Sequence, residues 1–196
     1  MGGQEERDER DVLASAFDAF FAQHERPLFA YLRRLLPSDD VAVEIAQEAF
    51  FRAWMHFAEI QCFDRPQSWL YRVATNLSIS ALRRRQPVPL SQLLGRRRSD
   101  DDCDDGQETI EALLVDTLDI EGQTAERDSI ARVLRRLSER ERAALLLRAV
   151  QGFSHEEVAE ALGASVANAR KIATRAREHF RQLYEHELRR EGEAVG

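Results

Sequence analysis

Apolar residues recur at spacings of three and four along most of the chain, and no stretch keeps the alternation of a half-buried strand, so the pattern predicts an all-α protein. Leu28, Leu32 and Leu35 or Leu36 mark one helix, which Pro37-Ser38-Asp39-Asp40 ends. A second is expected over about 39 to 58, where Ile45, Ala46, Ala49, Phe50, Ala53, Trp54 and Phe57 form an inward stripe two residues wide. Its other face carries Glu44, Gln47, Glu48, Phe51, Arg52 and Met55, and a phenylalanine and a methionine among charges suit a surface that meets another protein. A third helix starts near Asp64-Arg65-Pro66, because proline is tolerated in a first turn, and runs to Arg85 before Pro87 and Pro89. Leu70, Val73, Ala74, Leu77 and Ala81 are its expected inner face. Its polar stripe reads Arg72, Asn76, Ser80 and Arg83, with Arg84 and Arg85 closing the helix where cations offset its dipole.

Composition changes abruptly after this helix. Between Asp100 and Asp128 stand twelve acidic residues against one arginine, preceded by the cluster Arg96-Arg97-Arg98. Such a stretch buries too little apolar surface to hold a fold, so 87–128 is expected to be a flexible acidic linker with room for a short amphipathic helix at Ile110 to Leu118. The expected organisation is a polar N-terminal tail (1–18), a helical domain (19–86), the linker, and a second helical domain (129–190). Net charge follows the same division: −4 over 1–18, +2 over 19–86, −8 over the linker, +5 over 129–190 and −2 over the last six residues. The overall charge of −7 therefore conceals two mildly basic bodies, and nucleic-acid binding depends on the field of a face and not on the molecular sum. Of the 28 basic residues 27 are arginine, which suits bidentate contacts to phosphate or guanine, although a compositional bias of the genome produces the same preference.

The last 60 residues carry the strongest local signal. Ser154-His155-Glu156-Glu157 reads as a capping box opening a helix whose inner face is Val158, Ala159 and Leu162. Gly163 then supplies a sharp turn and Ser165 caps a second helix. There Ala169, Ile172, Ala173, Ala176 and Phe180 face inward, while Ala167, Asn168, Lys171, Thr174 and Arg175 face out, with Arg170 and Arg177 on the flanks. This is helix-turn-helix grammar, offering a cationic first two turns to a DNA major groove about 12 Å wide. A plain α-hairpin shares the pattern.

Other chemistries find little support. His155-Glu156 begins like a zinc-protease HExxH, but position 159 is alanine. No glycine-rich phosphate loop or GxSxG is present, and the five histidines show no ligand spacing, so neither an enzyme, a cofactor nor a metal site is expected. Cys62 and Cys103 lack CxxC spacing. The absence of a long apolar run and of a basic-then-apolar N-terminus gives the expectation of a cytoplasmic protein without a membrane partner.

Three blocks, in order, resemble the extracytoplasmic-function (ECF) sigma factors of bacterial RNA polymerase. Leu137-Ser138-Glu139-Arg140-Glu141-Arg142, the run from Gly152 to Ser165, and Arg175-Ala176-Arg177 resemble the family's C-terminal DNA-binding region. Ala42 to Trp54 resembles its core-polymerase-binding helix, and Trp69 to Leu77 with Arg83-Arg84 its promoter-melting helix. The resemblance implies a monomer that, when bound, joins core RNA polymerase and promoter DNA, with an anti-sigma factor as a further class of partner. Residue by residue, it implies that Glu44, Gln47, Glu48, Phe51 and Arg52 dock on core polymerase, and that Arg72, Asn76, Ser80, Arg83 and Arg84 meet the minus-ten element. It assigns Asn168, Arg170, Lys171, Thr174 and Arg175 to the minus-35 element. The loop from Glu59 to Gln67 would hold a flipped non-template base, and the acidic linker would thread the RNA exit path. Three positions depart from the family pattern: Glu44 and Ser80, each where an Asp is frequent, and the run Asn168 to Ile172, so promoter preference does not carry over. The alternative is a LuxR-type helix-turn-helix regulator acting without core polymerase, a class that usually carries an upstream α/β sensing domain. A sigma-like protein that titrates other factors is a third reading.

Overall fold

The computed structural model describes residues 2–85 and 125–195, and among these there are helices and no strands. The chain folds as two compact units, 1–78 and 79–196, with the division falling inside a helix.

In the first unit α1 (Gly2–Leu35) pairs with α2 (Asp39–Met55), a short α3 (Phe57–Ile60) follows, and α4 (Pro66–Arg85) begins after a loop. The N-terminal segment expected as a polar tail is helical from Gly2 onward. Its Phe17 has a structural role, because its ring meets Trp54 edge-on at 5.0 Å and Phe57 at 5.1 Å. Ser38 caps α2, its hydroxyl accepting from the Val41 amide, and Asp39 and Asp40 complement the positive end of the helix. His56 ends α2 three residues early and starts α3, so the single helix expected to 58 is broken there. The inner stripe of Ile45, Ala49, Phe50, Ala53 and Phe57 is buried, whereas Trp54, placed in that stripe by periodicity, keeps 42% of its surface exposed.

Helix α4 spans its expected range, but its buried face is rotated by about one residue. Leu70 and Ala74 lie inside as expected, while Val73, Leu77 and Ala81 are not the core positions that periodicity made them; the remaining inner positions belong to Tyr71, Thr75, Ser78 and Ile79. Two of these are polar, which is why an apolar count missed them. The Thr75 and Tyr31 hydroxyls are 2.7 Å apart in the core, and Ser78 Oγ donates to the Ala74 carbonyl at 2.7 Å, so neither burial leaves a hydroxyl without a partner. The Tyr31 and Tyr71 rings pack edge to face at 5.3 Å.

In the second unit, α5 (Ala125–Arg136), α6 (Glu139–Ala149), α7 (His155–Leu162) and α8 (Val166–Val195) enclose Ile130, Val133, Leu134, Leu146, Leu147, Phe153 and Phe180. The helical region opens at Ala125, four residues before its expected start. Arg132 and the largely buried Glu187 pair at 2.7 Å, tying α5 to the far part of α8 across 55 residues of sequence. The linker residues 87–124, with the helix expected at Ile110 to Leu118, lie outside the described residues.

Both tryptophans, Trp54 and Trp69, belong to the first unit, so their fluorescence reports on it alone. Replacing Thr75 with Val strands the buried Tyr31 hydroxyl, and urea unfolding followed by that fluorescence should show a loss of about 1 to 3 kcal/mol.

Candidate nucleic-acid and polymerase interfaces

Helices α7 and α8 are joined by a turn whose parts each have a physical cause. The Ser154 hydroxyl accepts from the Glu157 amide at 3.2 Å while the Glu157 carboxylate accepts from the Ser154 amide at 2.7 Å, completing the capping box. Gly163 sits at φ 58°, ψ 48°, the left-handed conformation that ends a helix at low cost only for glycine. Ser165 then accepts from the Asn168 amide at 3.3 Å and starts α8. Alanines at 159, 161, 169, 173 and 176 are buried, and their small side chains let the two helices approach closely.

Three arginines of α6 hold this arrangement by donating to backbone carbonyls at helix ends and turns. Arg140 donates to the Leu162 carbonyl at the end of α7, and Arg148 to the Phe153 carbonyl just before the cap. Arg142, itself buried, donates to the carbonyls of Arg135 and Leu137, each at 3.1 Å, and so closes α5. A second capping box, Ser138 with Glu141, opens α6. Sequence periodicity assigned these arginines no structural role, since a cation on a short helix carries no sign of which carbonyl it will reach. The Leu-Ser-Glu-Arg-Glu-Arg run is thus largely a set of caps.

With its inner face spent on packing, α8 presents a cationic outer face. Asn168, Arg170, Lys171 and Arg175 are exposed and Thr174 is half-buried, while Ala169, Ala173 and Ala176 are buried and Ile172 half-buried. Residues 168, 171 and 175 recur at three and four and share one face, with Arg170 at its flank. The five residues expected to meet DNA are therefore brought together on one helix.

On α4, Asn76, Ser80, Arg83 and Arg84 are exposed and Arg72 is half-buried, with Arg84 Nε donating to the Ser80 carbonyl at 3.3 Å. Residues 72, 76, 80, 83 and 84 fall in one stripe at helical spacing. On α2, Glu44, Phe51 and Arg52 are exposed, and Gln47 and Glu48 lie between them on the same outer side; Arg52 Nε pairs with Glu48 Oε1 at 2.7 Å along the helix. Phe51 keeps 60% and Met55 63% of its surface exposed, with Val43 about two turns upstream of Phe51 also open. These apolar side chains beside Trp54 form a face of the kind protein partners cover. The loop between α3 and α4 holds exposed Cys62, Phe63, Asp64 and Arg65. Among the described residues no three or more His, Cys, Asp or Glu side chains converge as a metal cage, and no helix is long and apolar enough to cross a membrane.

Two family models match this chain: Sigma-70 region 2 over residues 20–88, and Sigma-70, region 4 over residues 127–180. The chain belongs to the ECF sigma factors. It is 31% identical over 194 residues to the ECF RNA polymerase sigma factor SigG of Mycobacterium tuberculosis, a match covering 92% of this chain and 51% of that protein. The chain thus spans about half the length of SigG. It is 27% identical over 176 residues to the ECF RNA polymerase sigma-E factor of Escherichia coli, covering 83% of each. Among solved structures, the sigma factor RpoE of Bartonella quintana, crystallised with the anti-sigma factor NepR, superposes with a TM-score of 0.63 at 20% identity, covering 87% of this chain and 97% of that one. That likeness shows a shared fold. The match to region 2 over residues 20–88 does not fit the LuxR-type reading, in which the helix-turn-helix would follow an unrelated sensing domain.

A Cβ added at Gly163 would meet no atom within 4 Å, so its substitution is a test of backbone conformation alone. Gly163→Ala should lower the stability of the helix-turn-helix by about 1 to 2 kcal/mol and Gly163→Asn by less, read by thermal unfolding in far-UV circular dichroism.

Proposed function

We propose that the chain joins core RNA polymerase and directs it to promoters, opening the DNA at the minus-ten element and reading the minus-35 element. The observation that carries this reading is the outer face of α8, where Asn168, Arg170, Lys171, Thr174 and Arg175 gather on a helix mounted over α7 by an αL glycine. An arginine bidentate to guanine supplies about 1 to 3 kcal/mol of discrimination between bases. The first two turns of α8 therefore suit direct readout in the major groove.

The second interface supports the same function. On α2, Glu44, Gln47 and Glu48 lie beside exposed Phe51 and Arg52, a mixed acidic and apolar surface suited to a basic helical partner, and core polymerase is the occupant this reading assigns. Arg72, Asn76, Ser80, Arg83 and Arg84 then approach the minus-ten element, where arginines track phosphate and Asn and Ser supply neutral hydrogen bonds. The loop from 59 to 67 would take the flipped base. Extruding a base costs a few kcal/mol, which stacking on an aromatic side chain offsets, and exposed Phe63 is placed in that loop. The domain assignment follows from these roles: 19–86 for polymerase and minus-ten contacts, 87–128 as tether, and 129–190 for the minus-35 contact. Of the solved structures alike in fold, RpoE was crystallised with an anti-sigma factor and CnrH is in complex with the cytosolic domain of CnrY, and a protein of the anti-sigma class is proposed as a further partner.

Mixing the purified chain with core polymerase and a genomic fragment library, then mapping transcription starts, tests the whole reading. Starts that share minus-35 and minus-ten sequences are the expected result; DNA protection by the chain alone, without core-dependent starts, would point to a separate regulator. Arg175→Ala should weaken initiation about 5- to 150-fold or relax the minus-35 preference, as loss of a base-reading arginine requires. A Gln47→Ala/Glu48→Ala double variant should reduce core affinity in a competition assay while leaving the circular dichroism spectrum intact; unchanged affinity places the docking face elsewhere.

A further inference from the structure

Phe17 precedes the segment matched by Sigma-70 region 2, which begins at residue 20, yet its ring is built into the first unit. It stands halfway along the 34 residues of α1, at the level where the 17-residue α2 ends, because it meets Trp54, the penultimate residue of α2. Its two close partners lie on different elements: the Trp54 indole at 5.0 Å with planes 62° apart, and the Phe57 ring of α3 at 5.1 Å with planes 83° apart. Phe57 is buried and packs in turn on Phe20 at 5.4 Å. Buried Phe57 therefore backs Phe17, and Phe17 backs Trp54.

Trp54 differs from the rings around it. Phe20, Phe50 and Phe57 are buried, whereas the indole keeps 42% of its surface open, with Phe51 one turn earlier and Met55 next in the chain both exposed. An indole standing alone on a helix surface samples several rotamers, and a partner that covers it loses affinity in ordering it. Edge-on contact with a fixed ring removes that freedom before the partner arrives. The open side then offers a preset apolar plate, and tryptophan is among the side chains enriched where interface binding energy concentrates.

We propose that Phe17 is a positioning residue for polymerase docking: from a part of α1 that precedes the family-matched segment, it holds the Trp54 indole in the orientation in which core polymerase covers it. The proposal rests on the polymerase reading of α2 and deepens it, adding Trp54 to the docking face and a residue of α1 behind it. Core polymerase is the occupant because the open indole is continuous with Phe51 and Arg52, residues assigned to that contact. Phe17 acts through Trp54 and needs no contact of its own.

Four full-length chains separate positioning from plain structural support: wild type, Phe17→Leu, Trp54→Ala and the double variant, each titrated against core polymerase in a competition assay. Trp54→Ala should weaken core affinity about 30-fold or more, as loss of an interface hot spot does. Phe17→Leu keeps an apolar side chain but removes the ring, and should weaken affinity about two- to tenfold, the effect of one side chain left to be ordered on binding. Added to Trp54→Ala it should change affinity by less than about twofold, since no indole remains to orient. A purely structural Phe17 predicts instead a lower unfolding midpoint with unchanged core affinity, because a folded population near unity hides a modest loss of stability. Trp69→Phe leaves Trp54 as the sole indole, and in that background Phe17→Leu should add a fast component to the nanosecond anisotropy decay. Unchanged core affinity for Phe17→Leu or for Trp54→Ala, equal losses from Phe17→Leu with and without Trp54, or an unaltered anisotropy decay overturns the positioning role while the polymerase reading stands. A wild-type chain that binds no core polymerase removes that reading and the role with it.

Discussion

Closing the ends of short helices is the constraint on which the second unit depends. Helix α7 has eight residues, so about half of its backbone groups, the first four N–H and the last four C=O, lack an intrahelical partner. Ser154 and Glu157 satisfy its beginning, while Gly163 and the Arg140 guanidinium satisfy its finish. Arg142 and Arg148 do the same for the end of α5 and for the turn before α7. With those groups satisfied, a helix too short to be stable by itself becomes a rigid platform for α8.

That platform explains how an acidic protein presents a basic face. Two groups of cations in the second unit are put to different uses: Arg140, Arg142 and Arg148 on α6 bind the protein's own carbonyls, and Arg170, Lys171 and Arg175 on the outer side of α8 remain at the surface. Counting charge along the chain cannot separate the two. The helix-turn-helix therefore owes its electrostatic character to which cations the fold consumes, and the acidic excess of the chain lies chiefly in residues 87–128.

The first unit solves a different problem, the placement of exposed apolar groups. Phe17, Phe20 and Phe57 build an aromatic core at the junction of α1, α2 and α3, and Phe21 with Phe50 extends it. Trp54 lies at its edge and is covered on one side by Phe17, which leaves its other side beside Phe51 and Met55 at the surface. The aromatic core thus continues outward into the face assigned to the polymerase, and the carboxylates of Glu44 and Glu48 border it.

Local chemistry was legible in the sequence wherever neighbours along the chain decide it. The Ser154 capping box, the αL turn at Gly163, the start of α4 at Pro66 and the outward face of α8 all follow from residues within one or two turns of each other. Features set by distant partners were not legible. Thr75 turns inward because Tyr31 of α1 offers a hydrogen bond that removes the cost of burial. Phe17 becomes part of the first unit because Trp54 and Phe57 stand where its ring can meet them, and Arg142 becomes a buried cap only where α5 ends. Periodicity and capping are properties of a single helix and are written in its own residues. The identity of a buried polar group's partner depends on how helices meet, and only the tertiary structure decides it.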